Sequence, residues 1–198
     1  MTNAELFMVA DSALTDVIKQ IQPEQWAMTV PDDMSWHPGP HTLHDIINYH
    51  AYDEAWVPDV LAGKTAAEVG TQYDGDLLGD DPMANYGKYV ELAQAAVGGF
   101  SAPEQIVHLS YGDYSADDYL THISLFRGLR VYDIAKLIGA DLTMPEALVA
   151  GLWAIVEPQA EELRKMGVFG PAVEVPADAP LQDRLLGLTG RMPRGAAA

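Results

Sequence analysis

An all-α fold follows from two features of this 198-residue chain. Apolar residues recur at steps of three and four through five segments, and no period-two pattern of any length appears beside them. Capping residues stand ahead of most of these segments, and glycine or proline stands behind them. Helices of this length, each apolar on one face and joined by loops, make a helical bundle.

Thr2 and Glu5 have capping-box spacing, and Leu6, Ala10, Leu14, Val17 and Ile21 then mark one face, so the first helix ends before Pro23. Residues 22–40 hold Trp26, Trp36 and four prolines and read as loop. Thr42 and Asp45 open a second helix with rows through Ile46, His50, Glu54, Val57 and Leu61, and Pro58 is expected to kink or end it. The run DGDLLGDD does not match the EF-hand spacing and reads as a solvated acidic turn. Asp81-Pro82 starts a third helix, stopped by Gly98-Gly99. A loop with a short extended piece at 106–109 leads to the fourth and longest helix, capped by Ser115 and ended by Gly139. Thr143 and Glu146 have the spacing of a further capping box, for a fifth helix with a kink expected at Pro158. A short helix follows near 181–188. Residues 1–190 read as one domain with a C-terminal appendage from about 143, and 191–198 as a flexible tail.

The fourth helix carries the most unusual residues. Tyr119, Ile123, Phe126, Arg130, Asp133 and Leu137 share one stripe, so two charges lie in line with bulky apolar groups. Composition narrows the partners. With 29 acidic against 11 basic residues the net charge is −18, a field that repels nucleic acid. There is no cysteine, so no disulfide and no thiolate ligand or nucleophile. No apolar run reaches the roughly 18–20 residues of a membrane span. A cytoplasmic protein without nucleic-acid or membrane partners is the expectation.

The stretches YDIAKLIGAD, LAGKTAAEVG…DGDLLGDDP and MGVFGPAVEVPADAPLQDRLLGLTGR together resemble the mycothiol-dependent maleylpyruvate isomerase-like proteins of the DinB-like superfamily. The resemblance covers residues 42–191. It implies a DinB-like four-helix bundle, up-down-down-up, with one or two extra C-terminal helices. It also implies one divalent metal, typically zinc, held by a His of the second helix and an acidic residue and a His four apart on a later helix. Members that use the metal act on a low-molecular-weight thiol. This chain departs from the pattern at the ligands. Tyr49 stands four residues after Asp45, where the first His is expected, with His50 one step on. Phe126 and Arg130 stand at the other two positions, and neither side chain offers a lone pair to zinc.

Three functional readings follow. In the first, no metal is held, and Tyr49, Arg127, Arg130 and Asp133 form a pocket for a small anion or thiol conjugate, arginine's planar fork suiting a carboxylate. Its bland counterpart makes Arg130–Asp133 a buried structural pair. In the second, a divalent metal is held by relocated ligands: His50 and Glu54, four apart on one helix, with His122 as a third, in a thiol transferase or isomerase. In the third, the chain is a structural, dimeric bundle. His37, His41 and His44 form a weaker cluster that reads as solvated histidines. No serine elbow and no phosphate-binding glycine loop is present.

Overall fold

A computed structural model describes residues 1–34 and 39–193. Trp36 and His37, and the terminal RGAAA, lie outside the described residues. The architecture is mostly helical. Its elements are α1 (Asn3–Ile18), α2 (Leu43–Leu61), α3 (Ala66–Val69), α4 (Pro82–Gly99), β1 (Ile106–Leu109), β2 (Gly112–Ser115), α5 (Ala116–Ile138), α6 (Glu146–Val156), α7 (Ala160–Lys165) and α8 (Leu181–Leu188). Both β strands belong to one antiparallel hairpin, Val107 facing Tyr114 across it. The extended piece at 106–109 is therefore real, and its partner strand, GDYS, is an addition the sequence pattern did not reveal.

The caps act largely as their spacing predicts. Thr2–Glu5 and Thr42–Asp45 form reciprocal capping boxes, and Thr65–Glu68 forms another at α3. Ser115 Oγ accepts the Asp118 N–H at the start of α5, and Gly139 ends that helix at φ 74°, where a side chain would be strained. Two expectations fail. Pro58 does not end α2, which runs three residues further; the proline removes one hydrogen bond in the last turn, where the helix tolerates it. Thr143 does not cap α6: its hydroxyl bonds Asp141 Oδ1, and Pro145 occupies the cap position with no side-chain bond. Near Pro158 the helix passes through a 3-10 turn into α7.

Four long helices make the body. α1 packs along α5, α2 along α4, and α1 also meets α4. α2 and α5 pack less closely, and the Arg127–Glu54 and Phe126–His50 contacts reach between them. The interior divides into two apolar cores. One holds Leu14, Ile18, Ile47, Leu129, Leu148 and Leu152 among others; the other holds Phe7, Val57, Val97, Val107, Tyr119 and Ile123. The acidic loop before α4 is pinned to α2, because Asn48 donates to the Gly75 carbonyl and accepts from the Leu77 N–H. Its carboxylates stay exposed while Leu78 is buried. The C-terminal segment is tied back too. Gln182 bonds the 142–144 loop, Tyr132 donates to the Met192 carbonyl, and Arg191, expected at the start of a flexible tail, donates two bonds of 2.8 Å to Asp133.

Gly128 sits where α6 crosses α5. A Cβ there would lie 2.8 Å and 2.9 Å from the two methyls of Leu152 and 3.1 Å from one of Leu148. Gly128→Val should therefore destabilise the protein by about 1–3 kcal/mol through overpacking, seen as a lower urea midpoint with unchanged m-value.

Candidate functional site

A layer of buried polar side chains occupies the seam between the two apolar cores. α1 contributes Asp11 and Thr15, α2 His50 and Glu54, α4 Tyr86, and α5 Ser124 and Arg127, all buried. Each residue is placed by helical spacing. Asp11 follows Phe7 by one turn and precedes Leu14 and Ile18, so it stands in an otherwise apolar row. Glu54 stands one turn after His50, with Val57 and Leu61 continuing that row into the second core.

Glu54 and Arg127 bridge the α2–α5 diagonal. Arg127 Nε lies 2.7 Å from Glu54 Oε1 and both side chains are 0% exposed. The contact is ionic; it lacks the alignment of a hydrogen bond. The Arg127 guanidinium carbon also lies 4.7 Å from the centre of the Phe7 ring, a cation–π contact. Burial pushes the Glu54 carboxyl well above the ordinary carboxylate range; Arg127 opposes the shift, and Asp11 and Asp53 add to it. Burial holds His50 well below 6.5, helped by Arg130 and Arg127, so its ring is neutral. That ring lies 5.2 Å from the Phe126 ring. Among the described residues, Arg127 Nη1 and Nη2, both His50 nitrogens, both Glu54 oxygens, Ser124 Oγ and Tyr86 Oη have no hydrogen-bond partner in the protein. Asp11 accepts one bond, 2.8 Å long, from Gln94 on α4.

The residues proposed from sequence make different contacts, with Phe126 lying between Tyr49 and Arg130, whose guanidinium carbon is 5.2 Å from that ring. Arg127 turns inward to Glu54. Arg130 and Asp133 form a second assembly: Arg130 Nη2 donates to the Met34 carbonyl at 2.9 Å, Nη1 lies 3.5 Å from Asp133, and Asp133 in turn accepts the bidentate bonds of Arg191. Tyr49 is half-buried and meets the edge of Phe126 with ring centres 6.3 Å apart. Arg127 and Arg130, about 60° apart around α5, take different polar partners, while both act on the buried His50 ring. The relocated metal set does not assemble either. His122 is exposed and lies against Tyr111 and Tyr114. Among the described residues no three His, Cys, Asp or Glu side chains converge as a metal site would require. His44 lies 3.6 Å from Asp76 and against the Trp26 ring, which does not join it to a metal cluster; His37 lies outside the described residues.

Asp11, Thr15, Tyr86 and Ser124 did not stand out in the sequence. Asp11 carried a signal, being an acid at the i+4 position of Phe7. The hydroxyls carried none, since Ser, Thr and Tyr are common on half-buried helix faces. A surface groove of about 450 Å³ is built from other elements, between Trp153, Gln159, Arg184 and Leu188. Arg184 lies 4.6 Å over the Trp153 ring there.

Compared with models of known protein families, with curated proteins and with solved structures, the chain matches none. Among the described residues no helix is long and apolar enough to cross a membrane.

The buried pair makes a double-mutant prediction. Glu54→Leu alone strands a permanently charged guanidinium and should cost about 3–5 kcal/mol, whereas Glu54→Leu with Arg127→Met should recover most of that loss. Chemical denaturation of the three proteins measures it. His50 makes a pH prediction. Its folded value lies below 6.5 while the unfolded ring titrates near 6.5, so stability is full above that pH and falls as the unfolded state takes up a proton. The expected slope is up to about 1.4 kcal/mol per pH unit. His50→Gln should flatten the denaturation midpoint between neutral and mildly acidic pH.

Proposed function

We propose that this is a DinB-like, maleylpyruvate-isomerase-like helical bundle that holds no metal and binds a small anion within its polar layer. The reading rests on the two terminal nitrogens of Arg127, which are buried and have no hydrogen-bond partner among the described residues. Buried donors are ordinarily satisfied, and a guanidinium cannot shed its charge to escape the cost. Glu54 meets the guanidinium at Nε and leaves the two terminal nitrogens over. Ser124, Tyr86 and Thr15 add hydroxyls to the same layer, and neutral His50 adds a ring N–H. A carboxylate or similar oxyanion can take the fork of Arg127 and hydroxyl donors together.

The metal chemistry expected from the resemblance does not fit these residues. Zinc needs imidazole, carboxylate or thiolate donors, and Phe126 and Arg130 supply none. No step is therefore assigned to a metal-bound thiol. Arg130, Asp133 and Arg191 carry a structural role instead. They join α5 to the Met34 carbonyl on one side and to the C-terminal segment on the other.

Thermal shift with acetate, succinate and maleate tests the reading. At least one should raise the melting temperature saturably. Arg127→Met combined with Glu54→Gln, a folded protein without the charge, should lose the effect while Arg130→Met retains it. No shift with any anion, or a shift lost only in Arg130→Met, would refute the interior site.

A further inference from the structure

We propose that the groove between α8 and the junction of α6 with α7 is a site for a zwitterionic amino acid with an apolar side chain. The groove measures about 450 Å³, within the range of small-molecule sites. Trp153 of α6, Ala160 of α7 and Leu188 of α8 give it an apolar lining. Glu157, on the 3-10 turn between α6 and α7, and Arg184 of α8 add opposite charges. The walls are fixed to each other. α8 packs along α6, and Arg164 of α7 donates to the carbonyls of Gly170 at 3.2 Å and Leu188 at 2.9 Å. The Arg184 guanidinium carbon lies 4.6 Å from the centre of the Trp153 ring, so the indole holds that cation at the groove. Two of the lining acids are already engaged, Glu161 by Arg164 and Glu162 by Lys165. Among the described residues the Arg184 guanidinium and the Glu157 carboxylate take no hydrogen bond and no salt bridge, either with each other or with a third group.

These charges select a ligand by elimination. A bare anion would meet Glu157, Glu161 and Glu162 beside Arg184, and the net charge of −18 around them. A bare cation would meet the guanidinium that already lies over the Trp153 face. A calcium or magnesium ion needs several oxygen ligands, and Arg164 and Lys165 hold two of the three carboxylates. A molecule with one carboxylate and one ammonium is neutral in the overall field and answers both unpaired groups. Its carboxylate takes the fork of Arg184, whose planar geometry suits two oxygens at once. Its ammonium stands by Glu157, and its apolar side chain covers Trp153 and Leu188.

A heteronuclear NMR titration with L-leucine, read on the indole N–H of Trp153, tests this. The resonance should shift saturably. Leucinamide, which lacks the carboxylate, should bind about tenfold more weakly. N-acetyl-leucine, which lacks the ammonium, should bind about two- to fivefold more weakly. Arg184→Gln should weaken L-leucine by about tenfold. Glu157→Gln, on an exposed turn where folding is not at risk, should weaken it by about two- to fivefold. No saturable shift with L-leucine, equal affinity for either capped analogue, or full affinity in either variant would overturn the proposal.

Discussion

A guanidinium buried at the centre of the molecule constrains everything around it. Arg127 cannot deprotonate, so the fold must carry an opposing group to the same depth, and Glu54 does so from across the α2–α5 diagonal. That requirement sets the rotation of both helices. A turn of α2 that moved Glu54 off the inward row would bury the cation alone, at a cost comparable to a large part of a domain's net stability. The pair also sits where the two apolar cores meet. Apolar packing alone would tolerate a helix sliding along its neighbour; a polar layer with a fixed depth does not.

α2 is consequently a helix with two chemistries. Its inward row, His50 and Glu54, is desolvated and shifted in titration. Its outward row, Tyr49, Tyr52, Asp53 and Trp56, is a half-buried, mostly aromatic face. The β1–β2 hairpin, the one sheet among the described residues, packs against α2 and α5 and leaves Tyr111 exposed at its turn. At the far end of α5, Arg130, Asp133 and Arg191 make a second charged assembly, more open to solvent than the Glu54–Arg127 pair. The two assemblies differ in kind. The outer one is satisfied by aligned hydrogen bonds, whereas the inner one leaves donors and acceptors over.

Much of this was legible in the chain. The long helices announce themselves by rows of apolar residues and by Thr2, Thr42, Ser115 and Gly139 at their ends, because capping is a local affair of backbone groups and one side chain. The charges of α5 stood out for the same reason, as residues out of keeping with their stripe. The failures have physical causes. Pro58 is expected to kink or end α2, and the helix continues to Leu61 because a proline in a final turn removes a single bond. Thr143 had capping spacing but found Asp141 nearer. GDYS carries too little pattern to mark a strand; it is one because Ile106–Leu109 lies alongside.

Sequence alone determined the helical class and the ends of most helices, since these depend on residue types and short-range spacing. Tertiary structure decided the partners. Arg127 and Arg130 are three residues apart and looked like one cluster, yet one meets Glu54, 73 positions away, and the other the carbonyl of Met34, 96 away. Which charge meets which is set by how α1 packs on α5 and α4 and how α2 packs on α4, and no local spacing in the chain encodes that.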